Sequence, residues 1–466
     1  MNKNNFKSFF GDLREAVSGT EQDFTEGKLS RAILLLSIPA VLEMIMESIF
    51  VIVDIYFVSK LGANAVATVG LTESMITIVY AISLGLATAT TSMVSRRIGE
   101  KKSDKASETA FQAILTGLLA SLLIAVPGVL YSEKLLDLMG ASPEIVLKMS
   151  GYTRIMLGGN IVIMLLFIIN AIFRSAGDAA IAMRVLWIGN IINIVLDPCL
   201  IFGLGPFPEM GVAGAAVATT TGRGIAVLYQ FYLLFKGKKR IRLSVKHIGI
   251  NFTIIGKLIK ISLGSIGQNL IGTTSWIALV RIISVFGSEV VAGYTIAIRI
   301  VSFILLPSWG ISNAASTLVG QNLGAKKPER AERAVMITGW VNMILLGIVG
   351  LILVLFPGPF IHLFIHDPGV LKSGIECLRI VSIGFISYGF GMVIVNSFNG
   401  AGDTSTPLKI NFVAFWMIEI PLAWIRAIKF GMNENGVFWA IVIAESIMTI
   451  TAFIVFRRGK WKLKEV

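Results

Sequence analysis

Residues 31–58 read RAILLLSIPAVLEMIMESIFVIVDIYFV, an apolar run broken after Arg31 only by three acids. A helix needs about 20 mostly apolar residues to cross the hydrocarbon core of a bilayer, so this stretch is long enough to span it. At 100° per residue Glu43, Glu47 and Asp54 fall within about 40° of one another, forming a single stripe that cannot face lipid. Similar runs recur near 66–94, 107–131, 146–173, 182–203, 212–235, 255–285, 291–319, 333–356, 373–398, 408–429 and 437–456. The pattern predicts an all-α integral membrane protein with twelve transmembrane helices. Composition agrees: 55% of the 466 residues are hydrophobic and 15% charged, against roughly 25% charged in soluble domains. Mean hydropathy is +0.79. No large soluble domain fits beside that many spans.

Charge sets the orientation. The formal net charge of +13 could suggest nucleic acid, but the basic residues gather in short loops. Arg96, Arg97, Lys101, Lys102 and Lys105 follow the second span, Lys236, Lys238, Lys239, Arg240, Arg242 and Lys246 the sixth, and RRGKWKLK the twelfth. The opposite connection at 204–211, LGPFPEMG, has no lysine or arginine. The positive-inside rule therefore places the basic loops and both termini in the cytoplasm, in a multi-pass inner membrane protein with no nucleic-acid partner. The N-terminus lacks a signal peptide's apolar region and cleavage site, so it is expected to be retained. Phe6, Phe9, Phe10, Leu13 and Val17 lie near one face beside Lys7, Asp12 and Arg14, which suits a short interfacial helix over 5–18. Cys199 and Cys377 each sit inside an apolar run and read as small buried hydrophobes, not a disulfide framework.

The chain also repeats itself at a constant offset of 225 residues. Gly62 meets Gly287, Gly85 meets Gly310, Lys101 and Lys102 meet Lys326 and Lys327, and Arg154 meets Arg379. Ala176-Gly177-Asp178 meets Ala401-Gly402-Asp403. Six spans per half is an even number, so the two six-helix bundles enter the membrane with the same polarity, a parallel repeat. The expected domains are a cytoplasmic N-terminal segment (1–30), a first lobe (31–235), a cytoplasmic linker (236–254), a second lobe (255–456) and a cytoplasmic tail (457–466). Two such bundles suit alternating access by rocking, with a cavity between them.

The repeat acts as an internal control on the polar residues within the spans. Asn190, Asn193 and Asp197 follow helical spacing in the fifth span, Tyr152 and Asn170 stand five turns apart in the fourth, and Thr219 and Thr220 come from the sixth. At the 225 offset Asp54 faces Leu279, Glu47 Gly272, Asn170 Val395, Asn193 Ile418, Asp197 Leu422 and Thr219 Ala444. Groups needed only to pack a six-helix bundle would be kept in both halves, so the asymmetry favours a functional site over an interhelical hydrogen-bond network. Carboxylates with amide, hydroxyl and phenol oxygens suit a hard monovalent cation, and in a desolvated setting they could carry a proton instead. Pro39 frees the carbonyl of Leu35 and marks a point where the first helix can bend. In the second half Gln268, Trp276, Trp309 and Glu419 lie within apolar spans and could line a cavity for aromatic cations.

Other chemistries find little support. No GxxxxGKS or GxxxxGKT phosphate loop is present, so energy must come from an ion gradient. No nucleophile and base converge on an apolar run, which argues against a membrane-embedded enzyme, and no cofactor is expected. His362 and His366 are spaced i, i+4 without an acidic or cysteine ligand in the membrane, so no metal is expected beyond a possible Na+ at the coupling site. Asn251-Phe252-Thr253 fits a glycosylation sequon but falls in the linker. The AGD stretches read as helix-end turns.

The residues resemble the multidrug and toxic compound extrusion (MATE) transporters. The likeness covers about 25–456 and rests on IVDIYFVSKLG, SRRIGEKKSDKA, INAIFRSAGD, NIINIVLDP and GVAGAAVATT together with the duplication. It implies a two-lobed, twelve-helix antiporter expelling amphipathic or cationic organic compounds in exchange for Na+ or H+, a monomer whose partners are small-molecule substrates and membrane lipid. It also implies a first-lobe cation site at Asp54, Tyr152, Asn170, Asn193, Asp197 and Thr219. Another branch of the family carries its coupling acids in the seventh and tenth spans, which here read Gly272 and the acid-free SYGFGMVIVNSFNG. Glu43 and Glu47 are additional acids outside the pattern. A lipid-linked precursor flippase of the same superfamily is the alternative, though it would prefer a cationic cavity to these anionic spans.

Overall fold

The computed structural model describes residues 3–19, 22–236 and 240–466, with side chains from Gly11 onward. Lys238 and Lys239 of the basic run, and the side chains of Phe6, Lys7, Phe9 and Phe10, lie outside the described residues. Helix α1 (Lys3–Ser18) occupies the stretch expected to be interfacial, and α2 (Leu29–Ser59) carries the opening sequence unbroken through Pro39. Then come α3 (Ala63–Gly99), α4 (Ser103–Leu130), the short α5 (Ser132–Leu138), α6 (Pro143–Gly158), α7 (Asn160–Ala176), α8 (Ala179–Phe202) and α9 (Val212–Lys236). The second half runs through α10 (Phe252–Ile283), α11 (Ser288–Gly324), α12 (Pro328–Leu355), the short α13 (Pro357–His362), α14 (Pro368–Ile383) and α15 (Phe385–Gly400). A composite helix follows, α16 (Ser405–Asn411), a π-helical stretch Phe412–Glu419, α17 (Ile420–Trp424) and a second π-helical stretch Ile425–Lys429, before α18 (Asn433–Arg457).

Among the described residues, ten helical stretches are long and apolar enough to cross a membrane, α6 with α7 and the composite Ser405–Lys429 each counting as one, and α14 with α15, bent by 55°, makes an eleventh. The expected sixth span is α9, helical over 25 residues, whose apolar run is interrupted by Thr219, Thr220, Thr221 and Arg223. Each of the twelve expected spans thus coincides with a helix or a helix pair. In the fourth span Gly159 separates α6 from α7, and the two together form one span over Pro143–Ala176.

The chain divides into two compact units, Met1–Asp23 with Leu34–Ser262, and Phe24–Ile33 with Leu263–Val466. The duplication reaches the backbone. Lys101 and Lys326, 225 residues apart, both take positive φ (59° and 57°), a conformation uncommon without glycine. The AGD turns match as well: Gly177 (φ 98°) and Gly402 (φ 83°) each follow a helix in the left-handed region where a Cβ would be strained. Asp178 then caps α8 by accepting from the Ile181 N–H at 3.3 Å, and Asp403 accepts from Ser405 and Thr406 at 2.9 and 2.6 Å.

In the first unit the linker is pinned to α4. Gln112 donates to the Gly249 carbonyl at 2.6 Å and accepts from the Asn251 N–H at 3.2 Å. Asn251 itself bonds Glu108 and caps α10 through Ile254 N–H, so the sequon residue has a structural task. In the second unit Arg330 donates to the carbonyls of Phe24, Glu26 and Gly27, and Lys327 to that of Thr25, which ties down the segment ahead of α2. His362 and His366 meet ring edge to face, centroids 5.9 Å apart. Among the described residues no three His, Cys, Asp or Glu side chains are placed to hold a metal.

Candidate cation site

Close packing of α8 on α9 builds the site. A Cβ at Gly222 would lie 2.5 Å from the Gly189 carbonyl oxygen and 3.2 Å from the Asn193 Cβ, so glycine alone lets the two helices approach this far. That approach brings Asn193 Nδ2 to 3.1 Å from Thr219 Oγ1 and, along α8, to 3.3 Å from Asp197 Oδ1. Asp197 is fully buried and Asn193 nearly so. Their other oxygens, Asp197 Oδ2 and Asn193 Oδ1, are buried with no hydrogen-bond donor. Asp54, from α2, makes no hydrogen bond to any described residue and lies within electrostatic reach of Asp197, Glu73, the Arg223 guanidinium and the buried Tyr152.

The remaining acids of the α2 stripe are closed off. Glu43 accepts from Arg174 Nη1 through both oxygens, at 3.0 and 3.1 Å, and from Asn170 Nδ2 at 3.1 Å. Gln230 in turn donates to Asn170 Oδ1 at 2.6 Å. Glu47 accepts from Arg223 Nη2 at 3.0 Å and Asn190 Nδ2 at 3.1 Å, and the same guanidinium donates to the Tyr80 hydroxyl at 3.1 Å and covers the Phe50 ring. The structure therefore separates the six candidate residues. Asn193, Asp197 and Thr219 form one hydrogen-bonded group with Asp54 and Tyr152 close in charge, whereas Asn170 belongs to the Glu43–Arg174 cluster.

Arg174, Arg223, Gln230 and Tyr80 were missed in the sequence. The signal was there for the two arginines, since a lone arginine inside an apolar span needs an acid partner. Their pairing also lowers the anionic character of these spans, because two of the four carboxylates are neutralised. The two left over are Asp54 and Asp197. A desolvated carboxylate without a partner needs a cation or a proton, and two orphaned oxygens beside a hydroxyl and a second carboxylate fit a hard monovalent cation.

In the second unit, Trp276 and Glu419 line a cavity of ≈ 380 Å³, but Gln268 and Trp309 do not. Gln268 is engaged with Asn399 Oδ1 and the Thr404 carbonyl at 3.1 and 3.0 Å. It fastens α10 to the turn after α15. A second acid, Glu445, which the sequence reading did not single out, lines this cavity with Glu419.

Fold and site together define a class, a multi-pass membrane transporter of two related six-helix halves. Comparison with known proteins specifies it. The chain belongs to the MatE family: the family model matches residues 39–199 and 264–425, two stretches that start at the same 225-residue offset as the repeat. Members of this family are membrane transporters, not enzymes. A protein of Thermotoga maritima named probable multidrug resistance protein NorM is 29% identical over 94% of both chains. A Shewanella oneidensis protein named FAD transporter is 25% identical over 92% of this chain and 95% of its own length. A solved structure described as the outward-facing conformation of a multidrug resistance MATE family transporter of the MOP superfamily superposes with a TM-score of 0.89 at 26% identity, covering 95% of this chain and 98% of that one.

Proposed function

We propose that the protein is a secondary active exporter in the cytoplasmic membrane, with both termini inside, that antiports amphipathic or cationic organic compounds against Na+ or H+. The observation that carries the reading is the pair of donorless oxygens, Asp197 Oδ2 and Asn193 Oδ1, near an Asp54 carboxylate that Arg223, committed to Glu47, reaches through its field but not through a hydrogen bond. Cation binding there offsets the burial of two acids, and its loss restores their repulsion, so occupancy biases the first unit between arrangements. The multidrug resistance name of the Thermotoga relative supports the substrate class. The FAD transporter relative supports a second reading, export of an anionic cofactor, which the acids in both units disfavour.

The test is transport by the purified protein in liposomes, with Na+ and H+ gradients imposed separately and efflux followed with a fluorescent organic cation. Export driven by one gradient and lost in Asp197→Asn is the expected result. Export with neither gradient, or undiminished export by a well-inserted Asp197→Asn protein, overturns the assignment.

A further inference from the structure

The second-unit cavity is lined mainly by apolar and aromatic side chains, yet two acids reach it, Glu419 from the end of the π-helical stretch and Glu445 from α18. Its volume, ≈ 380 Å³, lies within the range of about 300–1,000 Å³ typical of small-molecule sites. Glu419 is 5% exposed and held by a 2.7 Å bond from Ser275 Oγ. Glu445 Oε2 is buried with no donor, and the fully buried Tyr294 lines the cavity together with Trp276. Among the described residues no lysine or arginine pairs with either acid, and the charge that Glu445 meets is that of Glu419.

The repeat sharpens the point. Subtracting 225 places Glu419 over Ile194 and Glu445 over Thr220, so the first unit has neither acid and bundle packing does not require them. The π-helical backbone at Phe412–Glu419 has no counterpart in the regular helix α8 either, and such departures concentrate at functional sites.

We infer that this cavity binds a flat organic monocation, its charge between the Glu419 and Glu445 carboxylates and its rings against Trp276, Tyr294, Tyr388 and Phe415. A small inorganic cation would leave most of the volume and the apolar walls unused, whereas an aromatic cation uses both, through ring stacking and cation–carboxylate contact in a desolvated setting. The inference rests on the export reading and deepens it, by giving the exported compound a site inside the second unit and apart from the ion site of the first.

The experiment is isothermal titration of ethidium into the full-length protein in nanodiscs, with uncharged phenanthridine as the neutral comparison. Glu419→Gln and Glu445→Gln should each weaken ethidium binding at least tenfold, the double variant should abolish it, and phenanthridine should bind at least tenfold more weakly than ethidium. Val442→Trp fills the cavity from its apolar wall and should also block ethidium, which keeps the question answerable where a glutamate variant fails to fold. Wild-type affinity in any folded variant of these, or equal affinity for phenanthridine, overturns the site. Binding requires no gradient, so failure of gradient-driven export with ethidium binding intact would sink the coupling reading and leave this one standing.

Discussion

Arg174 and Arg223 decide what the acidic stripe of α2 does. Each guanidinium is held by a carboxylate on that helix, at 3.0 Å in both cases, so Glu43 and Glu47 act as anchors of α2 on α7 and α9. Removing one partner of a buried pair leaves an uncompensated charge and costs about 3–5 kcal/mol, whereas replacing both by apolar residues of similar size is often neutral. Arg174→Met is therefore expected to lower the unfolding temperature of the purified protein sharply, and Glu43→Met with Arg174→Met to recover most of the loss. A double variant as unstable as the single one would show that the pair is not the anchor. Asp197 behaves differently because one of its oxygens has no donor to lose. Asp197→Asn should leave the unfolding temperature within a few degrees of wild type while Na+ or proton uptake per protein falls, measured by flame photometry or a pH-sensitive dye. The stripe itself was legible from a 100° wheel, but which acid meets which arginine was not. That depends on how neighbouring helices rotate against one another, and periodicity along one helix carries no such information.

Between elements, the decisive contact is the crossing of α8 and α9. A side chain at position 222 has no room against the Gly189 carbonyl, 2.5 Å from where its first carbon would stand. Gly222→Val should force the helices apart, separate Asn193 from Thr219 and weaken ion binding at least tenfold, while Gly224→Val, two residues on and about 200° round the helix, where a Cβ meets only Val162 at 3.8 Å, should be tolerated. Equal ion affinity in the two variants would remove the crossing from the account of the site. The linker offers a pH-dependent contact outside the membrane. A 2.7 Å bond from Lys246 to Asp104 holds that carboxyl below its usual value. A depressed carboxylate contributes in full above its unfolded value and loses its contribution as pH falls through the folded one. Amide protection across 240–250, taken relative to the intrinsic exchange rate at each pH, should accordingly hold at neutral pH and fall only below the ordinary carboxylate range; a fall already near pH 6 would point to another group. Apolar length alone located these helices, and basic loops marked their ends, because both signals are local. The break at Gly159 and the π-helical stretch after α16 escaped notice, since glycine and apolar residues in those runs are equally compatible with a continuous α-helix.

At the scale of the whole molecule, the duplication was the most legible feature, down to the paired positive φ of Lys101 and Lys326, because a repeat needs no knowledge of packing to be seen. The same offset showed the first half departing from the common plan at Asp54, Asn193 and Asp197, but Glu445, which joins Glu419 in the second half's own departure, was not singled out. The two proposed sites together would divide the labour, with the inorganic ion in one unit and the organic cation in the other. Antiport then makes a thermodynamic demand. If the two cations exchange, occupancy of one site must weaken the other, and linkage requires the weakening to be the same factor in both directions. Coupling of this kind typically amounts to 5–150-fold. Titrating ethidium with and without saturating Na+, and at high and low pH, gives one factor; titrating the ion with and without saturating ethidium gives the other. The two should agree, and both should fall to about one in Asp54→Asn, which removes charge from the ion site without touching the second unit's cavity. Ethidium affinity that is indifferent to Na+ and to pH would mean that the two acidic sites are independent, and the exchange mechanism would have to be abandoned even if each site binds as expected.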